Sequence, residues 1–321
     1  MNHYKPDRNI DKEIIKRISN KFYRGDFFNV LAHELRLSDL TSLLLEVYRE
    51  RTQSITCSKL LTIYNHNRFV KPAKLNPLTR IDFEKLAFSL LPQNVELLDL
   101  SPVTALGTSS VMAKIDQNNI LTALRGTEVV SDSTNVLALE CARRKIIFTD
   151  SQDITLCSSH RLLRTQLFNQ PDCFAHFLIL SLATSGKDQG SYKFEYNSLI
   201  LHLNYYLSLM ENLPKIHLEA IKPRLKLIYY SKQFMTFFKP MLSEYLENKY
   251  PQMIVQHEMF AGDQSYYLNL RYQLYASNKH NREYFLLDGG FTNWMQNLLS
   301  NKKERFLISG LGAERLLTFF R

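Results

Sequence analysis

The sequence predicts an α+β protein: an antiparallel sheet flanked by helices, preceded by a helical N-terminal region. Three observations carry this. Residues 1–92 hold apolar stripes at helical spacing. From Val95 onward, β-branched segments alternate with amphipathic ones. Most of those strand-like segments follow one another through hairpin-like polar turns, which favours antiparallel pairing. Of the 321 residues, 45% are apolar and 22% charged, close to the globular average, and only 10 Gly and 10 Pro exclude collagen-like or linker-dominated chains.

Each element has its own signal. Asp11 to Phe22 places Ile14, Ile15, Ile18 and Phe22 on one stripe. Ser38-Asp39 is the expected N-cap for Leu40, Leu43, Leu44 and Val47, and Asp82 for Leu86, Ala87, Leu90 and Leu91, stopped by Pro92. NRFVKPAKLNPLTR (67–80) has two prolines and no period, and reads as a loop. NNILTAL (118–124) and KIIFTD (145–150) read as strands around a helix from Asn135 to Arg144. ITLCSSHRLLR, a polar loop TQLFNQPDC and FAHFLILSLA form an expected long hairpin over 154–183. Phe194 to Leu213 is an amphipathic helix ending before Pro214, and Gln233 to Asn248 is another. LKLIYY, MIVQHEM, YYLNLRYQLYA and REYFLLDGG are strands, and Phe291 to Leu299 is a short helix. RFLISGLG is a buried strand running into a last helix, AERLLTFFR.

Composition narrows the chemistry. Forty Lys+Arg against 31 Asp+Glu give a net charge of +9, compatible with nucleic acid or nucleotide phosphates and equally with an ordinary solvated surface. Cys57, Cys141, Cys157 and Cys173 form no Cys-x-x-Cys pair, and no His stands at zinc spacing, so neither a metal site nor a disulfide framework is expected. The polar N-terminus is no secretory signal, and the apolar run Phe174 to Ala183 is about half of the ~20 residues a membrane span needs. The expectation is a soluble, cytoplasmic protein with reduced thiols and no membrane partner. There is no His-Glu-x-x-His, Gly-x-Ser-x-Gly or P-loop lysine. His160, His176 and His202 read as structural or surface residues, and Cys157 with His160 would point to opposite faces of a strand. The basic tracts Arg143-Arg144-Lys145 and Lys302-Lys303 with Arg305 read as solvated turns or helix ends rather than RNA contacts.

The most informative segment is FLISGLGAERLLTFF. An apolar strand ends in Gly310-Leu311-Gly312, and a helix opens with Ala313-Glu314-Arg315. Glycines let a ligand approach the backbone, and an arginine in the first turn offers a planar fork to phosphate oxygens. This pattern resembles motif 3 of the class II aminoacyl-tRNA synthetases. The hairpin over 154–183, with Arg164-Thr165-Gln166, a loop containing Pro171, and Phe177 on the return strand, resembles motif 2. VELLDLSPVTALGTSS, with Pro102, resembles motif 1. The three follow the family's order, so the resemblance covers about residues 93–321. Within the family the histidyl-tRNA synthetases and their paralogues are most similar: SYYLNLRYQLYA and LLDGGFTNWMQNLL match their Tyr-Tyr strand and Gly-Gly-Arg-Tyr-Asp turn, and LRGTEVVSDSTNVLALECARR their Leu-Arg-Pro-Glu-Gly-Thr region.

Carried over residue by residue, the resemblance implies an ATP- and Mg²⁺-dependent ligase that makes an adenylate. Arg164 would hold the α-phosphate and Arg315 the γ-phosphate, both as catalytic cations. Phe177 would stack on adenine, Gln166 would meet its amino group, and Gly310 and Gly312 would border the nucleotide. Arg125, Thr127, Glu128, Tyr266, Tyr267, Gly289 and Gly290 would face the amino acid or related carboxylate. The physical logic is general: a carboxylate attacking a phosphate brings two anions together, and cationic clamps lower that barrier. Asp288 is one guess for a metal-holding acid; no metal site proper is expected from the chain. The implied division is a helical region, 1–92, and a catalytic domain, 93–321, without an anticodon-binding domain. The implied partners are a second copy in a homodimer, and a tRNA end, a carrier protein or a small amine as acceptor. Departures are equally visible. Gln166 replaces a Glu, the Gln170–Cys173 stretch offers no arginine, Gly262 stands in place of a catalytic arginine, and Phe291-Thr292-Asn293 replaces Arg-Tyr-Asp. They support the alternative of a non-catalytic paralogue, such as the regulatory subunit of ATP phosphoribosyltransferase.

Overall fold

The computed structural model describes residues 8–21, 27–148, 152–166, 175–262 and 266–321. The chain forms two compact units: residues 1–72, 103–131 and 163–167 make the first, and 73–102, 132–162 and 168–321 the second. In chain order, the first unit supplies α1 (Arg8–Ser19), α2 (Phe27–Asn29) running into a π-helical turn Val30–Glu34, α3 (Leu37–Gln53) and α4 (Cys57–His66). The second supplies α5 (Pro77–Ser89) and β1 (Val95–Leu97). The first returns with β2 (Val103–Ala105), β3 (Thr122–Ala123) and β4 (Thr127–Val129), a small antiparallel sheet in the order β2-β4-β3.

The remaining elements build the second unit. They are α6 (Ser133–Ile147), β5 (Ile154–Leu163), β6 (His176–Lys187), α7 (Lys193–Asn212), β7 (Ile221–Tyr229), α8 (Lys232–Lys249), β8 (Ile254–Met259), β9 (Leu268–Ser277), β10 (Glu283–Phe291), α9 (Trp294–Leu298), β11 (Glu304–Leu311) and α10 (Ala313–Phe319). Its eight-stranded sheet runs β1-β5-β6-β11-β10-β9-β7-β8. The pairs β6/β11, β11/β10, β10/β9 and β9/β7 are antiparallel, as expected. The two edges correct the expectation: β1/β5 and β7/β8 are parallel, so the sheet is mixed. The reason is connectivity. A parallel neighbour needs a crossover, and α8 supplies one between β7 and β8.

Local chemistry explains several boundaries. Asn76 accepts from the Leu78 N–H and Pro77 takes the first helical position, so α5 starts inside the segment 67–80 expected as a loop, and Asp82 lies within it. Arg36, with no side-chain cap, precedes α3, and Asp39 sits in its first turn instead of capping it. Asp132 caps α6 through the Thr134 N–H at 3.0 Å and hydroxyl at 2.8 Å. The described part of KIIFTD, Lys145 to Phe148, is not a strand: α6 runs on through Ile147, with Arg144 and Lys145 in its last turn, where cations favour the helix end, and Thr149 and Asp150 lie outside the described residues. Ile146, Ile147 and Phe148 are exposed, so no sheet face claims them. Phe291 ends β10 rather than opening α9. The end of the first expected helix at Phe22, the motif 2-like loop with Pro171, and Cys173 lie outside the described residues.

Helices cover both faces of the large sheet. On β6, Ser181 bonds Ser133 of α6 at 2.6 Å, while Thr184, of opposite parity, bonds His202 of α7 at 2.9 Å. The α7 face holds the core, including Leu180, Leu182, Leu225, Leu227, Leu270, Tyr272 and Leu274. Phe234, Phe238, Leu242 and Leu246, four residues apart, give α8 its buried stripe. His202 is fully buried and its pKa is pushed down to about 3 by burial, so it is a neutral structural histidine between Thr184 and Ser309. Cys141 and Cys157 are buried and their thiols are raised to about 12 by burial. Among the described residues no helix is long and apolar enough to cross a membrane.

Candidate functional site

In the first unit, five of the expected residues lie near the small sheet. Arg164 follows β5 directly, and its Nε donates to the Ser131 carbonyl at 3.0 Å. The next two residues are held by their backbones: Arg68 donates to the Thr165 carbonyl and, at 3.1 Å, to that of Gln166. Gln166 is half-buried. Arg125 occupies the β3–β4 turn at φ +72°, beside Gly126 at φ +66°. A Cβ on Gly126 would be strained by that φ and would also come within 2.9 Å of the far end of the Leu37 side chain, which would have to shift. The Thr127 hydroxyl donates to Leu124 O at 2.8 Å.

Glu128 is fully buried. Its carboxylate accepts from Gly107 N–H and Ser109 N–H, both at 2.9 Å, and from the Gln117 amide at 3.1 Å. Burial works to raise its pKa, but those backbone and amide donors outweigh it and hold the group below the usual carboxylate range. Glu128 therefore fastens the Gly107–Ser109 turn to β4 with both oxygens engaged.

In the second unit, the Gly-x-Gly segment has the form the sequence predicts. Gly310 lies in β11 opposite Asp288 of β10 and Ser181 of β6. Gly312 leads into α10, with its N–H on the Leu286 carbonyl at 2.8 Å. Arg315 sits in the first turn of α10, and its Nη1 donates to Phe285 O at 2.7 Å. Phe177 is half-buried on β6. The sequence reading names Glu314 only as part of this pattern and misses its pairing with Arg161. Glu314 is buried, with Oε2 accepting from Arg161 at 2.9 Å and from Leu178 N–H at 3.2 Å. It thus locks the motif 3-like helix to the strands of the motif 2-like hairpin. An acid in a helix's first turn is too ordinary a signal to have singled it out.

The double glycine is arranged differently. A Cβ on Gly289 would lie 2.6 Å from the Tyr272 ring and 2.8 Å from Ile308 O, and one on Gly290 2.5 Å from the Tyr267 ring and 2.7 Å from Leu270 O. Both missing side chains are thus replaced by tyrosines of β9 or the residues before it. Tyr266 packs edge-on against Tyr267 at 4.8 Å and Trp294 at 5.3 Å. Beside them Arg271 grips Asp288 through two bonds of 2.7 and 2.9 Å and lies 5.5 Å from the Tyr267 ring. Burial raises the Asp288 pKa, with Arg271 and Tyr267 pulling it back. Asp288 is committed to Arg271, and among the described residues no three His, Cys, Asp or Glu side chains cluster as a metal cage.

No family model matches the sequence, and no curated protein matches it at the sequence level. Solved structures do match. Histidyl-tRNA synthetase of S. aureus is 14% identical, with a TM-score of 0.54 over 76% of this chain and 67% of that one. An ATP phosphoribosyltransferase regulatory subunit/histidyl-tRNA synthetase from Bacillus halodurans C is 11% identical, with a TM-score of 0.55 over 80% and 83%. A histidine–tRNA ligase subunit of Alicyclobacillus acidocaldarius is 10% identical, with a TM-score of 0.56 over 78% and 96%. The mixed sheet between helices agrees with these neighbours: the chain has the fold of the class II synthetase catalytic domain and its histidyl-type paralogues.

Proposed function

We propose that the chain binds ATP and activates an amino acid or related carboxylate as an adenylate, for transfer to a tRNA end, a carrier protein or a small amine. The observation that supports this best is Arg315. Its guanidinium is fixed by the Phe285 carbonyl next to Gly312, where the atoms nearest a Cβ lie 3.5 and 3.7 Å away. A positioned cation beside an uncrowded backbone suits a phosphate. Arg164, steadied by Ser131 O, has the corresponding role on the α-phosphate, and Phe177 and Gln166 serve the base. Mg²⁺ fits this reading only as a companion of the triphosphate, since the described residues offer no acidic cage and Asp288 is engaged; such ions are commonly held by substrate phosphates and few carboxylates. A cytoplasmic homodimer, with residues 93–321 as catalytic domain and 1–92 as an accessory helical region, completes the proposal.

One set of observations favours a second reading, a regulatory paralogue without amino-acid activation. The places above Gly289 and Gly290 are filled by Tyr272 and Tyr267, and Glu128 spends both oxygens on its own turn. Pyrophosphate exchange with ATP, Mg²⁺ and pooled amino acids separates the two. The enzyme reading expects exchange that falls about 10²–10³-fold in Arg164→Ala and in Arg315→Ala, the usual cost of losing one transition-state donor. No exchange in the wild-type chain, with ATP binding retained or lost, leaves the regulatory reading standing.

A further inference from the structure

Among the described residues, β8 ends the large sheet and pairs only with β7. The Phe260 N–H just beyond it donates to the Tyr229 carbonyl at 2.8 Å. Backbone groups alternate sides along a strand. Gln256 and Glu258 therefore bond toward β7 with Phe260, while Val255, His257 and Met259 turn their N–H and C=O groups outward. Such an edge is a template for another strand unless it is blunted. This one carries no proline and exposes apolar side chains instead: Ile254 is 55% exposed, Met259 40% and Phe260 37%.

The features along this edge repeat about one centre. His257 lies against the middle of α8, 3.4 Å from Ser243. Val255 and Met259 flank His257 at equal distance and share its side of the strand. Lys239 and Glu247 flank Ser243, one helical turn each way, and share its face of α8. Glu247 and Leu246 line a pocket of about 270 Å³ with Met253 and Val255. At the other end, burial and then Lys239 hold the His257 pKa below its usual value, which places that cation near the strand. The edge thus has an apolar pocket and an anion at one end, and an exposed methionine and a cation at the other. That is a self-complementary surface, because in a two-fold contact residue i meets j and j meets i.

We propose that two copies of the chain join β8 to β8, antiparallel, about a two-fold axis at His257. In this register Met259 of each copy comes opposite Val255 of the other, at the pocket. The outward backbone groups of Val255, His257 and Met259 all find partners. On the opposite face Ile254 meets Phe260, and Gln256 meets Glu258. Gln256 gives its side-chain carbonyl to Arg224 at 2.8 Å, which leaves its amide N–H groups for that carboxylate. Lys239 of each copy faces Glu247 of the other. The contact does not rest on the nucleotide reading.

Sedimentation equilibrium of the full chain from about 1 to 500 µM tests it, and a monomer–dimer equilibrium is expected. Val255→Pro removes one outward N–H per copy and no bond to β7, and Met259→Asp brings a charge to the pocket; each should raise the dimer Kd at least about 10-fold. Lys239→Glu and Glu247→Lys should each raise it about 3–10-fold by setting like charges face to face, and the double variant should restore it. That rescue is specific to contact between copies, since the two residues stand two helical turns apart in one chain. Circular dichroism should stay native throughout; should Val255→Pro misfold, the charge exchange on α8 decides. A chain monomeric over the whole range would overturn the assignment. So would single-charge losses that the double variant fails to restore. A dimer indifferent to all these variants would overturn it too, while leaving the homodimer proposed above to another surface.

Discussion

At the scale of single residues, Glu128 shows how a family-like position can acquire a structural duty. Its burial and three donors make it a fastener for the Gly107–Ser109 turn. Glu128→Gln should therefore cost about 1–3 kcal/mol, because a carboxamide cannot accept on both sides and a backbone N–H is left unmet. The pH dependence has a definite sign. The folded-state pKa lies below the ordinary 4.5, so the stabilisation is present in full above about pH 4.5 and is lost as pH falls through the folded value. Urea unfolding of both proteins at pH 7 and at successively lower pH checks this. The gap between them should narrow below pH 4.5; a gap that is constant or widens in acid would show that Glu128 is not the anchor described. None of this was readable from the sequence, where a Glu near Arg-Gly-Thr carries only its resemblance. The donors come from residues 19 to 21 positions earlier and 11 positions earlier, and nothing in their identities announces the bonds.

Among the elements, the glycines divide into two kinds that the sequence does not distinguish. Gly290 lies between β9 and β11 with backbone and ring atoms inside 3.0 Å of where a Cβ would sit, whereas Gly312 meets nothing nearer than 3.5 Å. Gly290→Ala should lose about 1–3 kcal/mol through overpacking against Leu270 O and Tyr267, and Gly312→Ala less than about 1 kcal/mol. If Gly312 borders a phosphate, the second variant should still weaken ATP binding. Denaturation midpoints paired with ATP titrations decide it; a Gly290→Ala protein as stable as wild type would sink the packing account. Long periodic elements such as α7 and α8 were legible because one apolar stripe fixes both type and face. Two things were hidden. Lys145, Ile146 and Ile147 open a β-branched stretch by composition but belong to a helix whose stripe, Leu137, Ala138, Cys141 and Ala142, lies upstream. The parallel edges depend on which strand a crossover returns to, a property of topology that strand periodicity does not encode. For the candidate site, order and spacing offered Arg164, Gly310, Gly312 and Arg315 only as candidates through the resemblance, while the Arg161–Glu314 and Arg271–Asp288 pairs, 153 and 17 residues apart, had no sequence signal.

For the whole molecule, the decisive contrast is in burial. The second unit encloses a continuous core from Phe83 to Phe320, with many side chains at zero exposure. In the first unit, α2, α3 and α4 hold no buried residue, and Leu37, Leu43, Val47, Tyr48, Leu60 and Leu61 are all more than 40% exposed. Helices of 10 and 17 residues gain little from propensity alone, so their persistence depends on packed faces. Elements with few buried contacts open at lower free energy than a core sheet, and a chain built from such unequal parts need not unfold in one step. The chain supplies its own reporter. Trp294 is the only tryptophan, is 2% exposed, and belongs to the second unit. Far-ultraviolet circular dichroism reads helices of both units, whereas Trp294 fluorescence reads the second. In a urea titration the dichroism at 222 nm should begin to fall before the fluorescence moves, and a fragment lacking residues 1–72 should retain the fluorescence transition while losing the early dichroic one. Coincident transitions with a single midpoint would show instead that the exposed apolar helices are stabilised as strongly as the core, by burial that the described residues do not account for.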